Sequence, residues 1–434
     1  MMNISMLDIG FWASVAISLW PSYLIFRDIA DVSQFWLKND RASVMSTWYR
    51  RHIYLLAATL GLVAMVFIHL ETGAGVSWVA NLTAVIWFIF IAGGYFNPGW
   101  MMRTQQSTAR FVSIEDAKSF VHRDQEVLVI EHNGEARAHT DYELWRPHVV
   151  GTEDGLGGEN IVMSYCAMTN LGMALKPEID GQPLKLKVMT QLENNLVMWD
   201  KNSGEPIQQI WGTKECDGKA GPAMAEYSLF KMPFDKFAHA YPSGQVFHRR
   251  RILMKENPLF ALYDKFWEAM FYMAIHRQKQ EAAPVFPTLV HEDDSLPPKE
   301  HVWGINIGDD AVCYSVPFVK SEGNLINTRI GGRDLVVHWD ADYESLGVWY
   351  NDFGRNVSEI DFFGKSDLGE HVRVESVKAG LFYAMWFNFF PATDVNRKGP
   401  RPVANNSLRT GNNGAPSVGG LCSADVLSPV TAYR

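Results

Sequence analysis

Three stretches near the N-terminus, Ile9 to Phe26, Ile53 to Leu70 and Trp78 to Phe96, contain no Asp, Glu, Lys or Arg. Each approaches the roughly 17–25 apolar residues that cross a bilayer, so the pattern predicts three transmembrane helices. A cleaved signal peptide would need a basic n-region, whereas Met1 to Asp8 carries no Lys or Arg and Phe26 leads into Arg27. Arg27, Lys38, Arg41, Arg50 and Arg51 crowd the first connection, and Glu71 to Gly73 in the second has no basic residue. The positive-inside rule then puts the N-terminus outside and everything after Arg103 in the cytoplasm. His69 and Asn81 fall at or inside the spans; an edge position facing headgroups or water suffices for them, without an ion pathway.

From Phe111 the pattern becomes one of short β-like runs broken by turn residues, as in Val127–Ile130 before Asn133-Gly134, Ile161–Met163 after Gly157-Gly158, and Leu335–Val337 after Gly331-Gly332. These runs fall into two series. Val127–Ala136 can be laid on Val302–Ala311, His139 on Tyr314, Gly157-Gly158 on Gly331-Gly332, and Ile161–Cys166 on Leu335–Asp340. Each series closes on an aromatic stretch ending in Pro, at Pro242 and Pro391. Four pieces in one order predict a duplicated, mainly β unit, with a ligand cleft between two related lobes.

The fold expected is therefore a membrane-anchored α+β chain: a three-helix anchor (1–102), a first β-rich lobe (111–250), a helix and linker (251–299), a second lobe (300–396) and a flexible tail (397–434). In the linker, Phe260, Tyr263, Trp267, Met270, Phe271 and Ala274 recur at helical spacing, while Asp264, Lys265 and Glu268 forbid a fourth span. With His248-Arg-Arg-Arg251 this reads either as an interfacial helix on anionic lipid or as a core helix joining the lobes.

Composition narrows the functions. At 47% hydrophobic and 20% charged, the 434 residues exclude a disordered chain, and a formal charge of -9 argues against nucleic acid as a partner. Cys166, Cys216, Cys313 and Cys422 are scattered and form no CxxC pair, which excludes a disulfide scaffold or a four-thiolate metal site.

The run Asn133–His139, the Gly157-Gly158 turn, Val162–Cys166, Asn194–Asp200, Ile210-Trp211 and Ala240–Pro242 together resemble the bacterial domain of unknown function DUF 3179. Members of that family typically read GEAxAYP, a Gly-Gly turn, VTYCPLCGTA, YNSDLVMYD, LWSQ and an HPDT ending. Ala384–Asp394 resembles the family's second half, and the likeness runs from about Gln125 to Val395. It implies a domain and no activity. Thr169 stands where the family's second Cys would, so the resemblance does not extend to dithiol chemistry, and His139-Thr140 replaces the family's Tyr-Pro.

Candidate chemistry remains in a few residues. Cys166 beside His139 or His338 would make a nucleophile, against a default of a buried structural Cys. His338, Asp340 and Asp342 alternate as strand neighbours on one face would, a geometry suited to a metal ion, although the spacing shows no complete ligand set. Tyr165, Asn194, Asp200 and Trp211 lie in the family-like runs as candidate binding residues, and the Asn and Asp are also ordinary turn residues. No Walker loop, GxSxG elbow, HExxH helix or Rossmann fingerprint is present. The function expected is a small-ligand-binding or accessory module of a bacterial inner membrane, working at the bilayer surface through the interlobe cleft, with a small molecule or another membrane protein as partner. The alternative is a membrane-bound enzyme with a Cys/His/Asp site in that cleft, with or without a metal.

Overall fold

A computed structural model describes residues 5–249 and 258–400. The chain divides into two compact units, one built on Met1–Met101 with Met189–Leu192, the other on Met102–Val188 with the described residues from Glu193 onward.

In the first unit, α1 (Met6–Ile29), α2 (Arg41–Thr72) and α3 (Ser77–Ile91, prolonged by further helical turns to Met101) are long and apolar enough to cross a membrane. Helix α2 is longer than its apolar run because Asp40 caps it, accepting from the Ser43 N–H, so Arg41–His52 is helical as well. Buried Asp28, paired with its α1 neighbour Arg27 at 2.7 Å, accepts from the Thr47 hydroxyl of α2 at 2.5 Å and so ties the two helices. His69 bonds Ala74 O (2.9 Å) and Ser77 Oγ (3.1 Å) across the α2–α3 turn, an edge position. Between α1 and α2, half-buried Asp31 accepts from Thr190 Oγ1 (2.8 Å) and the Gln191 N–H (3.0 Å), and desolvation pushes its carboxyl up to about 6.

The second unit is β-rich. Its first lobe contains β1 (Glu126–His132), β2 (Glu135–Thr140), the one-turn α4 (Asp141–Leu144), β3 (Val162–Cys166), β4 (Leu171–Leu175), β5 (Asn195–Asp200), β6 (Leu229–Pro233), α5 (Phe234–Ala240) and β7 (Gln245–Phe247). Helix α6 (Pro258–Gln280) follows. The second lobe contains β8 (His301–Ile307), β9 (Asp310–Ser315), α7 (Val316–Ser321), β10 (Leu325–Ile330), β11 (Arg333–Asp340), β12 (Ser345–Tyr350), β13 (Lys378–Phe382), α8 (Tyr383–Phe389) and β14 (Asp394–Val395).

The registers of the two lobes run in parallel. Val127 faces Thr140 and His132 faces Glu135 in β1–β2; Val302 faces Ser315 and Ile307 faces Asp310 in β8–β9, with six antiparallel pairs in each hairpin. Strand β6 pairs with β1 as β13 pairs with β8, and β7 lies parallel to β2 as β14 lies parallel to β9. Gly157 (φ +57°) and Gly331 (φ +56°) each leave 2.4 Å between a Cβ and a carbonyl oxygen, that of His132 or Ile307, room that only glycine allows. Their N–H groups donate to Glu135 Oε2 (3.2 Å) and Asp310 Oδ2 (3.0 Å).

Between the lobes lies a core. One buried apolar cluster takes Leu128, Ile130, Met163 and Tyr165 from the first lobe, Ile305, Val312, Leu335 and Val348 from the second, and Ile275 from α6. Alternating positions of β1 and β8 supply Leu128, Ile130 and Ile305, and β3, β9, β11 and β12 supply the rest of the strand side chains, so burial of the common face holds the lobes together. Buried Lys378 pairs with Glu226 across the lobes, and Lys231 Nζ sits 3.0 Å from Glu126 and 3.3 Å from Gly380 O.

Candidate functional site

The family-like runs converge, and they converge on one another. Cys166 ends β3, 4% exposed, with its Sγ 3.7 Å from Asn194 O; burial raises the thiol's pKa, which keeps it protonated. Thr169, at the position of the family's second Cys, donates to Cys166 O (3.3 Å) and accepts from Asn195 Nδ2 (3.3 Å). Asn195 also donates to Gln209 Oε1 (3.1 Å) and accepts from Gln208 Nε2 (3.2 Å), while Gln209 Nε2 donates to Ser164 Oγ (3.0 Å). Tyr165 is buried, its phenol held well above the ordinary range by desolvation, and donates to Asn170 Oδ1 at 3.2 Å.

Asn194 (φ +61°) donates from Nδ2 to Phe286 O at 2.9 Å and so fastens the segment after α6. Asp200 accepts the Lys185 N–H and the Ser203 N–H and hydroxyl, each at 2.8 Å; burial opposes its ionisation, and these bonds outweigh burial and lower its pKa. Trp211 meets the Phe389 ring edge-on, 5.4 Å between centroids. Every one of these contacts belongs to the fold itself.

His139, Cys166 and His338 lie on β2, β3 and β11, in three different sheets. His139 is 1% exposed, packs between Phe111 and Phe247, and is pushed down to about 3 by desolvation, so its imidazole is neutral. His338 is half-buried with its pKa lowered by burial, Asp340 opposing the shift. Strand β11 ends at Asp340, which accepts the N–H groups of Asp342 and Tyr343 at 2.9 Å; Asp342 is exposed in the turn and does not continue the strand face. Among the described residues no three His, Cys, Asp or Glu side chains gather to hold a metal ion. Cys422 and most of the tail, and Arg250 and Arg251 of the basic run, lie outside the described residues.

A polar pocket of about 240 Å³ lies elsewhere in the first lobe, lined by Phe120, Gln125, Thr140, Tyr142, Glu143, His248 and Arg249. Thr140 ends β2 and caps α4, accepting from the Glu143 N–H at 3.2 Å, which sets Glu143 one turn inside. The Glu143 side chain is 9% exposed, accepts from the Arg249 N–H, and has His248 Nδ1 3.3 Å away. The His248 ring packs on Phe120, 4.3 Å between centroids. Arg249 is matched elsewhere, to Glu268 of α6 at 3.1 Å and over the Tyr142 ring, whose hydroxyl donates to the same Glu268 oxygen. Burial first, and then Glu268, raise the Tyr142 phenol.

Register shows why this carboxylate is informative. Thr140 and Ser315 end strands of matching register and begin α4 and α7 with nearly the same backbone angles. Three residues on, the first lobe has Glu143 and the second has Phe318, which packs on the shared core. Likewise His248 occupies the place of Arg397, which grips Asp310 and Asp394 at 3.0 and 2.9 Å. The sequence reading passed over Glu143; laying α4 on α7 is the signal that finds it.

The family model described as protein of unknown function (DUF3179) matches residues 106–393, well over half the chain, and the chain belongs to that family. No curated protein and no solved structure matches it.

Proposed function

We propose that this chain is a membrane-anchored binding module, three helices spanning a bacterial inner membrane and carrying a cytoplasmic β-rich part built from two repeats of one unit. The orientation rests on the basic residues between α1 and α2. The repeat rests on the matched hairpin registers and the Gly157 and Gly331 contacts. The ligand site is the pocket at Glu143 in the first repeat, because the space between the lobes is occupied by their common core.

The observation that carries this reading is a nearly buried carboxylate standing where the sister helix places the apolar Phe318. A buried acid costs stability unless it is paired or has a use, and among the described residues a backbone N–H and an imidazole attend it. At about 240 Å³ the pocket falls below drug-sized sites of roughly 300 Å³ and more, so it suits a small molecule. Because Arg249 is matched by Glu268, the Glu143 carboxylate sets the pocket's sign, and the ligand is a small amine that also meets Gln125 and the Phe120 face.

The test is thermal melting of the full-length protein in detergent with primary amines from ethylamine to benzylamine. Amines should raise Tm in the wild type and not in Glu143→Gln. If the response is absent, or equal in both proteins, the assignment is wrong.

A further inference from the structure

Helix α6 is apolar on two faces, and among the described residues one of them packs into the core of the protein. Its inward side carries buried Ile275 and Gln278; Gln278 donates to Met168 O at 2.5 Å and accepts from the Val285 N–H at 2.9 Å. The stripe marked out by the sequence, Tyr263, Trp267, Met270, Phe271 and Ala274, is half-buried and belongs to this side. The opposite side exposes Leu262 by 67%, Phe266 by 55% and Met273 by 51%, with Tyr272 beside them. A helix facing only water would carry polar residues there.

We propose that this outer face lies in the headgroup region of the bilayer, as an interfacial helix. The proposal rests on the membrane-spanning reading of α1–α3, which keeps lipid permanently within reach of α6 at high effective concentration. The side chains fit that occupant. Leucine, phenylalanine and methionine point outward, Tyr272 stacks on His276 at 5.6 Å, and Lys265 and His276 are exposed along the flanks, with Arg277 beside them paired to Glu281 at 2.8 Å, a mixture of apolar face and basic flank suited to an anionic surface. The carboxylate of Glu268 is turned to Arg249 and Tyr142, so it adds little repulsion. That same contact joins α6 to the Glu143 pocket, bringing the ligand site to the membrane surface.

The experiment uses full-length protein in vesicles of phosphatidylcholine and phosphatidylglycerol, in a Cys216→Ser, Cys422→Ser background. A fluorophore is placed by Phe266→Cys or Met273→Cys, and quenching by lipids bearing a nitroxide near the headgroup is read. Val290→Cys and Val372→Cys, exposed positions outside α6, serve as water-facing controls, and Phe67→Cys in α2 as the membrane control. Labels at 266 and 273 should be quenched about threefold or more over the water-facing controls. Quenching at 67 without quenching at 266 and 273 overturns the α6 proposal alone; no quenching at 67 overturns the spanning reading with it. Label-to-label proximity at 266 that rises with protein density, without lipid quenching, assigns the face to a second copy and also overturns the proposal.

Discussion

Asn170 donates from Nδ2 to the carbonyl of Gly380 at 2.8 Å, bolting the turn that follows Cys166 to β13 of the other lobe. The Phe382 N–H reaches back to Thr169 O at 3.1 Å, so two residues of the family-like motif hold the second lobe in register. This gives the motif a structural purpose, and it sets what substitutions there should do.

Asn170→Ala should lower stability by about 2–3 kcal/mol, because it leaves the buried Gly380 carbonyl with Lys231 Nζ alone, takes the acceptor from the buried Tyr165 hydroxyl and places a residue without a local side-chain bond at φ +55°. Asn170→Gly should recover part of that loss by relieving the backbone. Melting of the purified protein in detergent checks both; equal losses would locate the effect entirely in the hydrogen bond.

The paired glycines make a test of the repeat. Gly157→Ala and Gly331→Ala should each cost on the order of 2–3 kcal/mol, since a Cβ would press on the His132 or Ile307 carbonyl at positive φ. At Gly158 and Gly332 a Cβ meets nothing within 4 Å, so alanine there should cost only the backbone strain, about 1 kcal/mol. Four melting curves decide whether the two lobes respond alike.

Asp31 gives a pH dependence of defined sign. Its folded pKa of about 6 lies above the ordinary carboxylate value of 3.8, so folding favours the protonated acid and stability declines as pH rises between those values. Asp31→Asn retains an oxygen acceptor for Thr190 and Gln191 and removes the charge. It should stabilise the protein at pH 7.5 by up to roughly 3 kcal/mol and leave it nearly unchanged at pH 4. A Tm difference that does not vary with pH would contradict this.

His139 acts in the opposite direction. Its pKa of about 3 lies below the ordinary imidazole value of 6.5, so the stability from burying a neutral ring is complete above 6.5 and is lost progressively as the pH falls towards 3. His139→Phe should therefore flatten the acid limb of the stability profile by about one proton. An unchanged slope would mean that the ring is solvated.

Much of this architecture was legible in the sequence. The three long apolar helices follow from charge-free runs, although a hydropathy window does not see that Asp40 starts α2 well before Ile53. The strand alignment of Val127 with Val302 agrees with the hairpin registers because alternation and turn glycines are local signals. What the sequence did not reveal was direction. Asn195, Gln208, Gln209 and Thr169 read equally well as ligand contacts or as partners for each other, and only the folding together of distant hairpins settles that they bond mutually. The same holds for α6, whose apolar residues surround the helix, so that periodicity marked the inward stripe and left Leu262, Phe266 and Met273 unexplained.

The central claim places the ligand at Glu143 and gives Cys166 a purely structural role. Amine binding measured side by side on Cys166→Ala and Glu143→Phe, the second variant carrying the residue type of Phe318, tests it most directly. Cys166→Ala should keep the wild-type Tm response to added amine, at a lower starting Tm, while Glu143→Phe should melt no lower than wild type and lose the response. Loss of the response in Cys166→Ala with its retention in Glu143→Phe would contradict the account.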